Sequence, residues 1–141
     1  MPQRFVDASV FVHAYLRPTR ELKPHEVAVK KNARTIVTRI HRGESVVLST
    51  VHLSEVANLL EDWMPLEDAQ AVERSLCMRE SIDILPVDKR DLLEALAIGA
   101  ETGLGTTDAL AILLMQRLGL PEIYSFDRDF DRQKGIRRIS Q

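Results

Sequence analysis

Short, continuous apolar runs alternate with longer segments of helical periodicity along this chain, and the alternation limits the fold strongly. Val46-Val47-Leu48 is apolar throughout, as in a parallel strand buried on both faces. The preceding segment, 25–41, instead carries apolar residues at steps of three and four. Strands that alternate with helices predict an α/β fold: a three-layer α/β/α sandwich around a mostly parallel sheet of four or five strands.

The same patterns set the boundaries of the predicted elements. A length of 141 residues and the lack of internal repeats predict a single domain over 1–141. Thr106 or Thr107 is the predicted cap of the helix that follows Gly103 and Gly105. The predicted strands are 3–6, 46–48, 82–85, 123–125 and 136–139, and the predicted helices are 8–16, 25–41, 50–63, 65–80, 89–102 and 108–118.

Composition excludes some classes of protein and leaves others open. The single cysteine, Cys77, excludes an internal disulfide and fits a reducing compartment. No apolar run reaches the length of a membrane-spanning helix, and the N-terminus lacks the pattern of a signal peptide. We therefore expect a cytoplasmic protein with no membrane contact.

Charge is unevenly distributed, although the formal net charge is only −2. Segment 17–42 contains eight Lys or Arg against two acids, and segment 61–101 contains eleven acids against four basic residues. Such a division can present a basic face to a polyanion, but two hydrated helix surfaces explain the pattern equally well.

Four acidic positions fit poorly with a purely structural account. Asp7 directly follows the predicted strand 3–6, and Asp127 lies two residues after the predicted strand 123–125, so both lie at the edge where parallel sheets bind ligands. Glu55 shares a four-residue spacing with Val51, Leu59 and Trp63, where an amphipathic helix normally excludes charge. Asp108 lies in the first turn of a helix that is apolar nearly all round. The structural alternatives are a helix cap for Asp7, a hydrated edge for Glu55, the helix dipole for Asp108 and turn chemistry for Asp127.

Together these acids predict a metal site. Both strands end at one edge of the sheet, and the helices that carry Glu55 and Asp108 begin there, so the carboxylates converge. Crowded carboxylates repel unless some protonate or a cation neutralises them. Oxygen ligands suit Mg²⁺ or Mn²⁺, which activates water and offsets charge on a phosphate. We interpret His13 and His52 as surface or core-edge histidines rather than general bases.

Four segments in this order resemble the acidic motifs of PIN-domain ribonucleases, and the nearest subgroup is the VapC-type toxins of prokaryotic toxin–antitoxin pairs. The resemblance covers nearly the whole chain. The segments are Phe5-Val6-Asp7-Ala8-Ser9, Thr50-Val51-His52-Leu53-Ser54-Glu55-Val56, Thr106-Thr107-Asp108-Ala109-Leu110 and Ser125-Phe126-Asp127-Arg128-Asp129-Phe130.

The resemblance implies a strand order of 3-2-1-4-5, a homodimer and Mg²⁺- or Mn²⁺-dependent RNA cleavage that leaves 5′-phosphate and 3′-hydroxyl ends. It assigns metal binding to Asp7, Glu55, Asp108 and Asp127. It adds a water-mediated contact from Asp129, and it makes Ser9 and Ser125 the hydroxyls that orient these acids.

An RNA substrate also requires contacts between its phosphates and basic side chains of the protein. In a toxin, the arginines that make these contacts can also meet an antitoxin that covers the site and places its own Arg among the carboxylates. Few aromatic residues lie among these cations, so base stacking is not obvious from the sequence. The candidate RNA contacts are Arg17, Arg20, Lys30, Lys31, Arg34, Arg128 and Arg132.

Two alternative functions remain open at this stage. One is a non-catalytic PIN-like module that binds metal, RNA or protein. The other is a small aspartate-based phosphatase or receiver-like domain. A phosphatase of that type usually pairs two aspartates one residue apart and has a lysine late in the chain at a strand end. Here position 9 is Ser and the predicted late strands lack such a lysine, which disfavours this alternative. Trp63, Met64 and Leu66 are interpreted as core packing in preference to a dimer contact.

Overall fold

The computed structural model describes residues 3–141, in which strands and helices alternate as the sequence predicts. The strands are β1 (Arg4–Val6), β2 (Val46–Ser49), β3 (Ile82–Leu85), β4 (Glu122–Tyr124) and β5 (Arg137–Ile139), and a 3-10 turn spans Arg128–Arg132. The helices are α1 (Ala8–Tyr15), α2 (Pro24–His41), α3 (Thr50–Trp63), α4 (Leu66–Met78), α5 (Lys89–Thr102) and α6 (Thr106–Leu118).

The strands form one parallel sheet in the order β3-β2-β1-β4-β5, which confirms the predicted topology. The chain adds β2 and β3 on one side of β1 and then crosses to add β4 and β5 on the other. Strand order therefore reverses between β1 and β4, where Val6 pairs with Tyr124. This reversal opens a crevice at the carboxyl ends of the two strands.

Side chains of successive strand residues enter two separate cores, so the sheet is covered on both faces. Val6 and Leu48 pack in the core that α1, α2, α3 and α4 cover. Phe5 and Val47 point the other way, into the core formed mainly with α5 and α6. This arrangement is the three-layer α/β/α sandwich predicted from continuous apolar strands.

Helix α6 is buried as predicted, but its first turn differs from the prediction. All residues from Ala109 to Met115 are buried. The N-cap is Gly105 and makes no side-chain cap, whereas Thr106 and Thr107 are already helical. A Cβ on Gly99 would lie 2.8 Å from the Leu104 carbonyl oxygen, so this glycine lets the loop before α6 lie directly against α5.

The interpretation of Trp63 and Leu66 as core residues is wrong, because they are 65% and 55% exposed. The buried residues of α3 end at Leu60, and Trp63 is the last residue of the helix, beyond them. Met64 does pack against the core. Over residues 3–141, no helix combines the length and the apolar character that crossing a membrane requires.

Candidate active site

Asp7 occupies the crevice at the carboxyl end of β1. Its backbone N–H donates to the Tyr124 carbonyl at 2.9 Å, which extends the pairing of β1 with β4. The side chain is 5% exposed and does not cap α1, so the capping alternative is wrong. Its Oδ2 instead accepts hydrogen bonds from Ser9 Oγ at 2.8 Å and Ser125 Oγ at 2.9 Å.

The two serines hold the strand ends together as well as orienting this carboxylate. Ser9 Oγ accepts from the Phe126 N–H at 3.2 Å, and Ser125 Oγ accepts from the Asp127 N–H at 3.0 Å. The start of α1 is therefore fixed against the loop after β4. Both hydroxyls are used as donor and acceptor, which leaves one orientation for the Asp7 carboxylate.

Asp127 lies beyond β4 and meets two other aspartates. Its Oδ1 accepts from the Asp129 N–H at 2.9 Å, so the predicted turn chemistry is present. One carboxylate oxygen from each of Asp108, Asp127 and Asp129 lies within 4.8 Å of the others, a grouping able to hold a metal ion. Asp131 is directed elsewhere, because Arg138 donates to its carboxylate at 2.9 and 3.2 Å.

Glu55 reaches the same crevice from α3 and carries a buried oxygen. Its Oε2 has no hydrogen-bond partner within the part of the chain that the structure describes. Burial, together with the charges of Asp7 and Asp127, raises the pKa of this carboxyl. Exposure to water at the edge of the stripe does not account for such an oxygen, since an unpartnered buried acceptor is costly.

Asp108 shows the strongest effect of crowding. Burial and the neighbouring charges of Asp7 and Asp127 raise its pKa to about 7, and a hydrogen bond to Asp127 contributes. The dipole of α6 favours a negative charge in its first turn, but burial and repulsion together outweigh it, because the pKa is raised. Without a cation the cluster therefore holds a proton near neutral pH.

A cleft of about 410 Å³ contains most of this cluster. Its walls come from α1, α3, the first turn of α6 and the loop after β4, and among residues 3–141 no lysine or arginine lines it. Oxygen donors that have, within the described chain, an unpartnered buried atom and no basic partner fit a hard divalent cation. The acidic residues in the wall are Asp7, Glu55, Asp108 and Asp127.

His52 was wrongly assigned to the surface or core edge, because the structure buries it completely. Ser49 Oγ lies 2.6 Å from Nδ1 and the Thr107 carbonyl lies 3.1 Å from Nε2, so the imidazole joins α3 to the first turn of α6. Burial lowers its pKa to about 4, which keeps the ring neutral. The signal was present in the sequence: residue 52 is four positions before Val56, on the buried stripe of the helix.

The basic candidates do not converge on the acidic cleft. Arg20 forms an ion pair with Glu26 at 2.7 Å, and Lys30 Nζ donates to the carbonyls of His13 and Leu16 at the end of α1. These contacts limit what the two cations can offer a phosphate. The remaining candidates are exposed: Arg17, Lys31, Arg34, Arg128 and Arg132.

Comparisons with known proteins agree with this architecture. The family model for the PIN domain matches residues 4–136. VapC20 of Mycobacterium tuberculosis, a toxin that cleaves the sarcin-ricin loop, superposes with a TM-score of 0.71 at 20% identity, over 92% of this chain and 93% of its own. PAE2754 of Pyrobaculum aerophilum gives 0.60 at 20% identity, over 96% and 88%.

These two structures share the fold at low identity. The search of curated proteins found no match. The family assignment therefore depends on the domain model, which spans nearly the whole chain and includes all the acidic positions described above. The chain belongs to the PIN-domain family.

Proposed function

We propose that this protein is a divalent-metal-dependent ribonuclease that hydrolyses RNA phosphodiester bonds. The observation that carries the proposal is the cleft that collects the carboxylates of Asp7, Glu55, Asp108 and Asp127 without a lysine or arginine among residues 3–141 to neutralise them. A structural cluster of this kind lowers stability, so a bound cation and its chemistry are the more economical explanation.

Asp108, Asp127 and Asp129 offer the closest oxygens to such a cation. Asp7 and Glu55 complete the cleft, directly or through water. The oxygen-only donor set favours Mg²⁺ or Mn²⁺. When bound, the ion supplies activation of water and stabilisation of negative charge on the phosphate.

The remaining residues orient this arrangement. Ser9 and Ser125 fix the Asp7 carboxylate, and the neutral His52 holds the first turn of α6 in place beside Asp108. No histidine is required as a general base. His13 lines the cleft, but burial and the charge of Lys30 lower its pKa, so near neutral pH it is poorly suited to carry a proton to the leaving group.

Cleavage of a single-stranded RNA with Mn²⁺ tests this function. Wild type should release fragments with 5′-phosphate and 3′-hydroxyl ends, and EDTA or Asp7→Asn should abolish the release. Equal rates for wild type and Asp7→Asn, or activity that survives EDTA, would contradict the proposal. Metal binding without turnover would instead identify a non-catalytic module.

RNA affinity should come from the free cations and fall with added salt. Lys31 and Arg34 are exposed on α2, where no acid lies between positions 27 and 42. Each phosphate contact removed from a single strand should reduce the slope of log affinity against log salt by about 0.7. Lys31→Ala and Arg34→Ala are thus expected to flatten the salt dependence, and an unchanged slope in both would exclude this surface.

The protein is further proposed to be the toxin of a toxin–antitoxin pair and a homodimer. The shared fold with VapC20, a sarcin-ricin loop cleaving toxin, supports the toxin assignment. An antitoxin can place an Arg among the cleft carboxylates and thereby displace the cation. Growth arrest by wild type but not by Asp7→Asn tests toxicity, and light scattering tests the dimer.

A further inference from the structure

A second groove, of about 500 Å³, adjoins the acidic cleft. Val12 and His13 line both, so the two spaces meet at these residues. Leu16, Val29 and Phe126 provide an apolar surface inside the groove. A strand with one phosphate at the cleft can therefore extend past these residues to the groove.

Trp63 forms part of this groove and is 65% exposed. It follows Glu55 and Leu59 on one stripe of α3, and both of these residues line the cleft. Eight helical residues advance about 12 Å, which corresponds to about three or four steps of a stacked nucleic-acid strand. The indole thus lies within a few nucleotides of a phosphate placed at the acidic cleft.

The groove has a second aromatic element next to the site. Phe126 follows Ser125 directly, and its ring meets His13 edge to face, with centroids 5.4 Å apart and an angle of 80°. This contact fixes both rings at the boundary between cleft and groove. Aromatic faces at such a position suit a planar, apolar group, and every nucleobase has one.

The rim of the groove is basic. Arg17, Arg20 and Lys30 lie along it, and its acid, Glu26, is bound by Arg20 through two hydrogen bonds of 3.0 and 2.7 Å. Arg20 is paired with Glu26 and Lys30 donates to backbone carbonyls, so among residues 3–141 Arg17 is the rim cation best placed to meet a phosphate, while the aromatic interior complements bases. This combination of cationic groove and stacking platform is characteristic of single-stranded nucleic-acid sites.

We propose that this groove is a nucleobase subsite, in which Trp63 stacks on a base of the RNA a few nucleotides from the phosphate to be cut. The inference rests on the proposed ribonuclease function, because it places the strand by continuity with the acidic cleft. It assigns Trp63 to substrate positioning, a contact that the sequence did not indicate.

Trp63 is the single tryptophan of the chain and so reports on this contact directly. Intrinsic fluorescence should be titrated in EDTA at low ionic strength, where RNA binds without being cut. A short single-stranded RNA should quench or shift the emission, and an abasic oligomer of equal length should bind without that change. Trp63→Ala should weaken RNA binding by about 5- to 100-fold, measured by anisotropy of a labelled RNA.

Two variants separate stacking from general damage. Trp63→Phe retains an aromatic face and should restore most of the affinity, and Leu118→Ala removes an apolar side chain that is 46% exposed at the far end of α6 and should bind like wild type. In cleavage assays Trp63→Ala should raise KM more than it lowers kcat.

The outcomes distinguish this inference from the function on which it rests. Metal-dependent cleavage without any response of Trp63 to RNA would overturn the base subsite and leave the ribonuclease intact. Equal quenching by the abasic oligomer would also overturn it. Quenching by RNA alone, with no cleavage under any divalent ion, would keep the base subsite and contradict the ribonuclease.

Discussion

The two ends of the parallel sheet both gather charged side chains, but they treat these charges in opposite ways. At the amino end, Arg4 Nε donates to Glu122 at 3.2 Å, and its Nη1 donates to Glu44 at 3.0 Å and to the Tyr124 hydroxyl at 2.7 Å. Arg39 donates to the same hydroxyl at 3.1 Å. Each carboxylate therefore meets a guanidinium or a phenol.

At the carboxyl end the acids meet hydroxyls, backbone N–H groups and one another. Asp7 is held by two serines, Asp127 accepts from a backbone N–H, and one oxygen of Glu55 has no partner among residues 3–141. The cluster raises the pKa of Asp108 to about 7, whereas carboxylates paired with arginine show the reverse effect, as the lowered pKa of Asp131 beside Arg138 illustrates. Charge paired within the chain indicates structure, and charge left unpaired indicates an external cation.

The largest expected contrast is in catalysis. Asp127→Asn should lower the rate of RNA cleavage at least about 100-fold, since even partners that only orient metal ligands are worth 10- to 100-fold. Glu122→Gln, the matched change at the amino end, should leave the rate near wild type. Steady-state cleavage with Mn²⁺ measures both, and a comparable loss in the two variants would remove the distinction between the ends.

For stability the amino end of the sheet, with its paired charges, should matter most. Arg4→Met leaves Glu44 and Glu122 without their shared partner and should cost about 2 kcal/mol of unfolding free energy, reduced by partial exposure. Arg137→Met is the control, because Arg137 is 77% exposed and its contact with Glu122 is longer, at 3.5 Å. Urea denaturation measures both, and if the two variants lose similar stability the paired network is not structural.

Removing a hydroxyl that orients the acids should have a smaller effect, on metal affinity. Ser125→Ala removes the hydroxyl that donates to Asp7 and accepts from the Asp127 N–H, and should weaken Mn²⁺ binding about 10-fold. Ser81→Ala removes a serine that donates to the Ile40 carbonyl at 2.8 Å, away from the acids, and should leave Mn²⁺ binding unchanged. Calorimetric titration decides between these outcomes, and equal affinities for wild type and Ser125→Ala would show that the serines do not organise the site.

The smallest expected effect is a dependence of stability on pH. The pKa of Asp108 rises from 3.8 to about 7 on folding, so the folded state binds more protons between these values. Unfolding free energy without metal should therefore fall as pH rises through this window. Asp108→Asn should reduce that fall, with the raised pKa of Glu55 contributing the remainder, and should be more stable than wild type by about 1 kcal/mol at pH 8, after allowance for solvent screening.

His52 contributes a dependence of opposite sign. Its pKa falls from 6.5 to about 4 on folding, so its contribution to stability is lost as pH drops through that range. The difference between wild type and Asp108→Asn, measured by thermal unfolding in EDTA, isolates the carboxyl from the imidazole. A difference that does not change between pH 4 and 8 would contradict the crowding of Asp108.

Much of the architecture was predictable because it follows from local rules. Apolar runs and helical periodicity located each strand and helix within a few residues, and alternation required parallel pairing. Asp7 and Asp127 were found because they follow strands, and parallel strands end at one edge. Trp63 was misassigned because a four-residue spacing identifies a face of a helix without saying how far along the helix the core extends.

The sequence indicated which acids lie in the cleft, but not the long-range contacts that surround them. His52 lies on the buried stripe of α3, yet its bridge to the Thr107 carbonyl depends on a residue 55 positions away. Lys30 resembles any other basic residue in its segment until its contacts with the carbonyls at the end of α1 are known. Such contacts join distant parts of the chain and leave no local pattern.

The sequence by itself determined the order of elements, the sheet type and the acids at the strand ends, since these depend on periodicity and on short-range sterics. Tertiary structure decided which carboxylate is driven toward protonation, which cations remain free and which aromatic ring stands beside the cleft. The physical reason is that electrostatic repulsion and burial depend on distance and solvent exposure in three dimensions, which the order of residues does not contain.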